Sequence, residues 1–341
     1  MEFFWLVGVI LPFVLELHPT NGWCLKNLGV RNCDVELLDV AVYNIRAFLS
    51  VRRSAGGSQS GTLIETSWPE TTFLLPGISR RFPNGLAHAL GEVSAGKCQK
   101  IIQSFRTDVD AKGRLWMMDS GSRECPPKMI VYNLHSPWSN EVHRHIFENS
   151  LNFTSLTVDP LENIKGFTRA FLTMMDSNCL VVYSLEEKTF ATLCSHPETI
   201  IPSFREIVVL NDGNILLYDQ HMNQLQSADL RILRQVELSQ GSQGSDENQV
   251  ILFESRPLGE LMGKASSLTT DSQNNLYYII ERDGVIVTCD IRKPLTAENH
   301  EVIHFDEFNM IKLLWSFKES LWVIHSSTLV AGATNHSLRI Q

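Results

Sequence analysis

Short apolar runs recur along this chain at intervals of roughly fifty residues, and several share one pattern: a polar turn, a strand-length apolar or aromatic run, then often an aspartate. The clearest copy is Asp110-Ala-Lys-Gly113-Arg-Leu115-Trp116-Met-Met-Asp119. Asn211-Asp212-Gly213-Asn214-Ile215-Leu-Leu-Tyr218-Asp219 repeats it, and Asp271-Ser-Gln-Asn-Asn275-Leu276-Tyr277-Tyr278-Ile-Ile gives a third. Lys318-Glu-Ser-Leu321-Trp322-Val-Ile is a worn fourth, while Phe171-Leu-Thr-Met-Met-Asp176 and Leu63-Ile-Glu-Thr66 keep the strand without the turn. The apolar centres fall near residues 64, 116, 171, 216, 277 and 322. Gly or Asn in the turns supplies left-handed backbone geometry. A period of about 40–50 residues is that of four-stranded propeller blades. The pattern therefore predicts an all-β fold, a six-bladed β-propeller with about four strands per blade. Ile130–Leu134 and Leu180–Leu185 read as further strands.

Before this region lie two segments of different character. Phe3–Leu17 is almost continuously apolar and short for a membrane span, and Thr20 and Gly22 suit the small positions of a cleavage site, so residues 1–22 are expected to be a secretory signal. Residues 23–61 are expected to be a variable lead-in, with an apolar stretch from Val35 to Val51 that reads as strand or short helix. It ends in the flexible linker Ser54-Ala-Gly-Gly-Ser-Gln-Ser-Gly61. The propeller is expected over 62–341, and the protein outside the cell.

Composition narrows the partners. The 341 residues are 43% apolar and 20% charged, an ordinary globular balance. A net charge of −9 argues against nucleic acid or an anionic membrane surface as partner. The seven cysteines show no zinc spacing, so disulfides are the expectation, with at least one thiol left over; Cys24 with Cys33 is one pairing to consider. Asn152-Phe-Thr154 and Asn335-His-Ser337 are glycosylation sequons. There is no phosphate-binding loop, and Gly57-Ser-Gln-Ser-Gly61 lacks a central nucleophilic serine. No cofactor and no metal is expected.

The stretch Trp68–Leu134 carries more than a repeat. It holds Trp68-Pro69, then Arg80-Arg-Phe-Pro-Asn-Gly85-Leu-Ala-His-Ala-Leu90, then Cys98, the Gly113-Arg-Leu-Trp-Met-Met-Asp119-Ser-Gly121 phrase and Cys125-Pro-Pro-Lys-Met-Ile. In order and spacing this resembles the insect Yellow / major royal jelly protein family, and the chain is similar to a diverged, shortened member. The likeness continues more weakly through Leu258–Tyr278 and Gly284–Asp290. The resemblance implies a secreted propeller and a disulfide between Cys98 and Cys125. It also implies a small aromatic ligand of the catechol or indole amine type and an association with cuticle pigmentation. The alternative it implies is a dopachrome-converting tautomerase of melanin synthesis.

Candidate site residues follow from the repeat. Asp119 and Asp176 end apolar strands in consecutive blades, each after a methionine pair, so Met118, Asp119, Met175 and Asp176 are the expected ligand-binding set at one channel mouth. Methionine adapts to flat rings and a carboxylate pairs with ammonium. The alternative for both aspartates is a turn cap. For the enzyme reading, Asp119 with His88 is the expected acid–base pair. His143-Arg-His145 has a spacing metals can use, against two ordinary histidines on an outer strand. Trp116, Tyr218, Tyr277 and Trp322 are expected to pack between blades, with ligand stacking as the alternative.

Overall fold

Among the described residues, alternating apolar positions and left-handed turns give short strands, all but one pair of them antiparallel, arranged in six sheets. The computed structural model describes residues 23, 28, 35–53, 62–68, 79–89, 95–136, 139–148, 150–163, 165–195, 202–238, 250–306, 310–315, 320–325 and 337–340. The expected signal segment 1–22, the linker 54–61, Cys24, Cys33 and Asn335 lie outside the described residues.

The first sheet is β1 (Val35–Tyr43), β2 (Arg46–Arg53), β3 (Leu63–Ser67) and β4 (Arg80–Arg81). The second is β5 (Ser104–Val109), β6 (Arg114–Asp119), β7 (Lys128–Asn133) and β8 (Glu141–Ile146). The third opens with β9 (Phe153–Val158), β10 (Arg169–Met174), β11 (Cys179–Ser184) and β12 (Thr189–Ser195). The fourth begins with β13 (Phe204–Val209), β14 (Asn214–Asp219) and β15 (Gln224–Asp229), followed by the short helix α1 (Leu230–Gln235). The chain then adds β16 (Val250–Phe253) to the third sheet, parallel to β12, and returns with β17 (Ser255–Glu260) to finish the fourth. The fifth is β18 (Ala265–Thr270), β19 (Asn275–Ile280), β20 (Val285–Asp290) and β21 (His300–Phe305). The sixth is β22 (Met310–Trp315), β23 (Leu321–His325) and β24 (Ser337–Ile340).

The first strands pack in a ring: β1 on β5, β5 on β9, β9 on β13, β13 on β18, β18 on β22, and β22 back on β1. An apolar core fills each gap between neighbouring sheets. The fold is an all-β propeller. Six blades of about four strands each is corrected to five complete blades of four or five strands, because only β24 joins β22 and β23 among the described residues. The lead-in is corrected as well. Residues 35–53 form β1 and β2, pairing with each other from Val35↔Arg53 to Tyr43↔Arg46, and β2 pairs with β3. The expected centres fall in the second strand of every sheet except the first, where residue 64 lies in the third. That sheet's second strand, around Phe48-Leu49, follows a turn through Asn44 (φ 54°) and has no Asp-x-x-Gly before it.

The repeated phrase has a local cause. Gly113 (φ 67°), Gly213 (φ 89°) and Asn274 (φ 64°) supply the left-handed turn between first and second strands. Asp110 accepts from Arg114 N with one carboxylate oxygen and from Arg114 Nε and Trp116 Nε1 with the other. Asp271 repeats this with Asn275 N, Asn275 Nδ2 and the Tyr277 hydroxyl. In both copies the turn aspartate holds the aromatic six positions later. Among the described residues two disulfides are present, Cys98–Cys125 and Cys179–Cys194, while Cys289 is a buried free thiol. No helix among the described residues is long and apolar enough to cross a membrane.

Candidate functional site

The six first strands enclose a central channel of about 1040 Å³. Side chains alternate along a strand, so residues two apart on β5, such as Arg106 and Asp108, share a face. The wall is charged as well as apolar. Asp39 of β1 accepts from Thr107 N at 2.7 Å and pairs with Lys312 of β22. Arg106 donates through Nε to Thr154 O at 2.8 Å and lies 3.8 Å from Glu206. Arg205 faces Glu281 at 3.4 Å at the end where the first strands begin.

Asp108 differs from these. Its oxygens accept only backbone amides, Val109 N at 2.8 Å and Val158 N at 2.7 Å. Burial raises its pKa from the ordinary 3.8 to about 6, against the lowering effect of the two amides and of Lys312. Burial also raises Glu206, with Arg106 opposing. On the same channel wall stands Trp315, whose ring stacks on Tyr277 at 5.3 Å and 20°. The channel thus combines a carboxylate with no ion-pair partner among the described residues, an aromatic face held from behind, and apolar positions on β9 and β13.

The expected set Met118, Asp119, Met175 and Asp176 does not converge. Asp119 is fully buried; it accepts from Ile102 N, Gln103 N and Gly121 N and pairs with buried Lys128 at 2.9 Å. Met118 is buried in the core between the second and third sheets. Those two are interior because β6 turns them away from the channel into packing and loop anchoring. Asp176 (φ 53°) and Met175 are exposed at the rim, where Asp176 meets His221 Nε2 at 3.3 Å. His88 is buried, with Nε2 on Phe82 O at 2.9 Å and Nδ1 near Thr62 N, so the pair with Asp119 is two anchors with separate partners. Asn152 is exposed in the same rim, its Nδ2 3.5 Å from Met175 Sδ. His143 bonds Tyr183, and His145 packs among Phe147, Tyr183 and Phe190; no metal-holding group of His, Cys, Asp or Glu occurs among the described residues. Trp116 and Trp322 are buried between sheets, and Tyr218 donates to Asn223 and accepts from Ala265 N.

Asp108, Glu206 and Trp315 were not singled out from the sequence. The available signal was the pair of charges at Arg106 and Asp108, two apart within a first strand, where a core-facing position would carry apolar residues.

Comparison with known proteins adds the following. The family model described as "Major royal jelly protein" matches residues 102–212. A Drosophila melanogaster protein named dopaminechrome tautomerase is 29% identical over 164 residues, which is 44% of this chain and 34% of that protein. The chain therefore spans about a third of that relative. Among solved structures, a streptogramin B lyase superposes with a TM-score of 0.52 at 10% identity, covering 96% of this chain and 98% of that one. The PQQ-bound aldose sugar dehydrogenase of Streptomyces coelicolor gives 0.51 at 7% identity, covering 89% and 93%. At such identities these two share the fold alone.

Proposed function

We propose, for a chain that belongs to the Yellow / major royal jelly protein family, that the central channel binds a small aromatic amine of the catechol or indole type. One observation carries this reading: Asp108 is a carboxylate in the channel wall held only by two backbone amides. An ammonium group supplies the missing counter-charge, and Trp315 offers the ring a stacking surface. Of the other wall carboxylates, Asp39 faces Lys312 and Glu206 faces Arg106, while Asp271 is occupied by the Asn275 amides and the Tyr277 hydroxyl. The two disulfides suit an oxidising compartment, so the reading includes secretion, glycosylation at Asn152 and a role in cuticle pigmentation.

Titration with tryptamine and with dopamine, followed by Trp fluorescence, tests it. Asp108→Asn should weaken binding at least tenfold with the fold unchanged. Only ionised Asp108 attracts an ammonium, so affinity should rise as pH increases through about 6 and level off above it. Equal affinity of wild type and Asp108→Asn across that window would overturn the reading.

A second reading rests on the same residue. The relative named dopaminechrome tautomerase supports proton-transfer chemistry, and a pKa of about 6 suits a carboxylate that takes a proton from a ring-adjacent carbon near neutral pH. A donor then returns a proton to the quinone oxygen, so atoms and electrons balance. Incubation with dopaminechrome separates the two: turnover lost at least 100-fold in Asp108→Asn supports catalysis, and saturable binding without turnover supports sequestration.

A further inference from the structure

The three exposed methionines among the described residues, Met175, Met222 and Met262, stand on three neighbouring loops at the rim where the first strands begin. The loops are tied together. His221 Nε2 lies 3.3 Å from Asp176 Oδ1. Asn223 and Leu261 exchange two hydrogen bonds, of 3.0 and 2.7 Å, which sets Met222 beside Met262. Of the other described methionines, 117, 118, 129 and 310 are buried and Met174 is half-buried. A large, exposed thioether on each of three adjoining loops, with an imidazole among them and the Asn152 amide 3.5 Å from Met175 Sδ, is a set of soft donors.

The charge beneath the rim is unusual. Asp219 is fully buried and accepts the amides of Ser203, His221 and Met222 with Oδ1. Its Oδ2 has no hydrogen-bond partner. The comparison lies within the molecule. Asp119 ends β6 as Asp219 ends β14, and the residue opposite Asp119 on the next strand is Lys128, which neutralises it. Opposite Asp219 the same register places Gln224, which carries no charge. A buried carboxylate with no cation opposite it therefore sits under the turn that carries His221 and Met222, and exposed Asp176 contacts His221.

We propose that this rim binds one monovalent copper ion through Met175 Sδ, Met222 Sδ and His221 Nδ1. Thioether and imidazole together select Cu(I) over zinc or calcium, which favour thiolate, imidazole or oxygen donors. The His221–Asp176 contact is the arrangement in which a ligating histidine donates its outer N–H to a carboxylate and leaves the other nitrogen free for the metal. Asp219 and Asp176 supply the compensating charge. The site is separate from the channel and does not depend on what the channel binds.

The test is anaerobic titration of the full-length protein with Cu(I) against the chromophoric chelator bicinchoninate. One equivalent should be retained. Met175→Leu and Met222→Leu should each weaken it about tenfold, their combination at least 100-fold, and His221→Gln at least tenfold. Met175, Met222 and His221 are exposed, so melting temperatures should stay within a degree or two of wild type. Cys289→Ser should leave binding unchanged, which separates the rim from the buried thiol. Absence of stoichiometric binding would overturn the proposal. So would a double methionine variant that binds as wild type, or displacement of Cu(I) by equimolar Zn(II).

Discussion

Asp119 and Asp219 show how one residue type at one repeated position serves different ends. Each closes the second strand of its sheet and gathers amides from the segment before the first strand and from the loop that follows the second, three for Asp119 and three for Asp219. Only Asp119 has a lysine across the strand pair. Breaking a buried pair by removing one charge leaves the other desolvated, at roughly 3–5 kcal/mol. Asp119→Asn should therefore lower the urea-unfolding free energy by about that amount and leave amine affinity in the channel unchanged. A loss of affinity with unaltered stability would return Asp119 to the ligand. Arg169, by contrast, donates to the carbonyls of Leu233 in α1 and of Val236 just after it.

At the scale of the element, β8 is the outer strand of the second sheet and leans on the third. His145 lies against Phe147, Tyr183 and Phe190, and its neighbour on the same face, His143, bonds Tyr183. Burial, then the charge of His143, lowers the His145 pKa from 6.5 to about 4. The folded state thus holds fewer protons than the unfolded chain between those values. Stability is fully present above pH 6.5 and declines as pH falls towards 4. His145→Phe should flatten that decline, seen as urea midpoints at pH 4.5 and 7 that differ less than in wild type. An unchanged difference would place the acid sensitivity elsewhere. The spacing that suggested a metal is here an aromatic contact between sheets.

The whole molecule depends on closing the ring. Trp322 of β23 packs on Trp68 at 4.7 Å, and Trp68 on Trp23 at 6.3 Å, joining the sixth sheet to the first. Val40, Leu49 and Ile64 fill the same core. Trp322→Ala should cost roughly 3–5 kcal/mol, as truncation of a buried tryptophan does. It should also broaden the unfolding transition, because the first and sixth sheets lose their shared core. A loss below about 1 kcal/mol in chemical denaturation would show that closure rests on other contacts. The ring also defines the channel, since each of its walls is the first strand of a different sheet.

What the sequence determined by itself was local. A turn aspartate, a left-handed Gly or Asn and an aromatic six positions on interact within one hairpin, so Asp110–Trp116 and Asp271–Tyr277 read correctly before any tertiary contact forms. Strand alternation and the repeat then suffice for an all-β propeller, and the family phrase for the Cys98–Cys125 bridge. Sheet membership across the linker was not local. β1 and β2 have no phrase, and they belong to the first sheet only because β3 supplies their edge partner. The site was decided by tertiary structure for the same reason. Whether a carboxylate becomes an anchor or a ligand depends on what another strand places opposite it. Asp119 meets Lys128 and turns inward, Asp176 reaches the rim in a left-handed conformation, and Asp108 meets two amides at the channel wall. Lys128 comes from the next strand of the same sheet and Val158 from the neighbouring sheet, so strand pairing and ring closure set the electrostatic balance that a single strand's residues leave open.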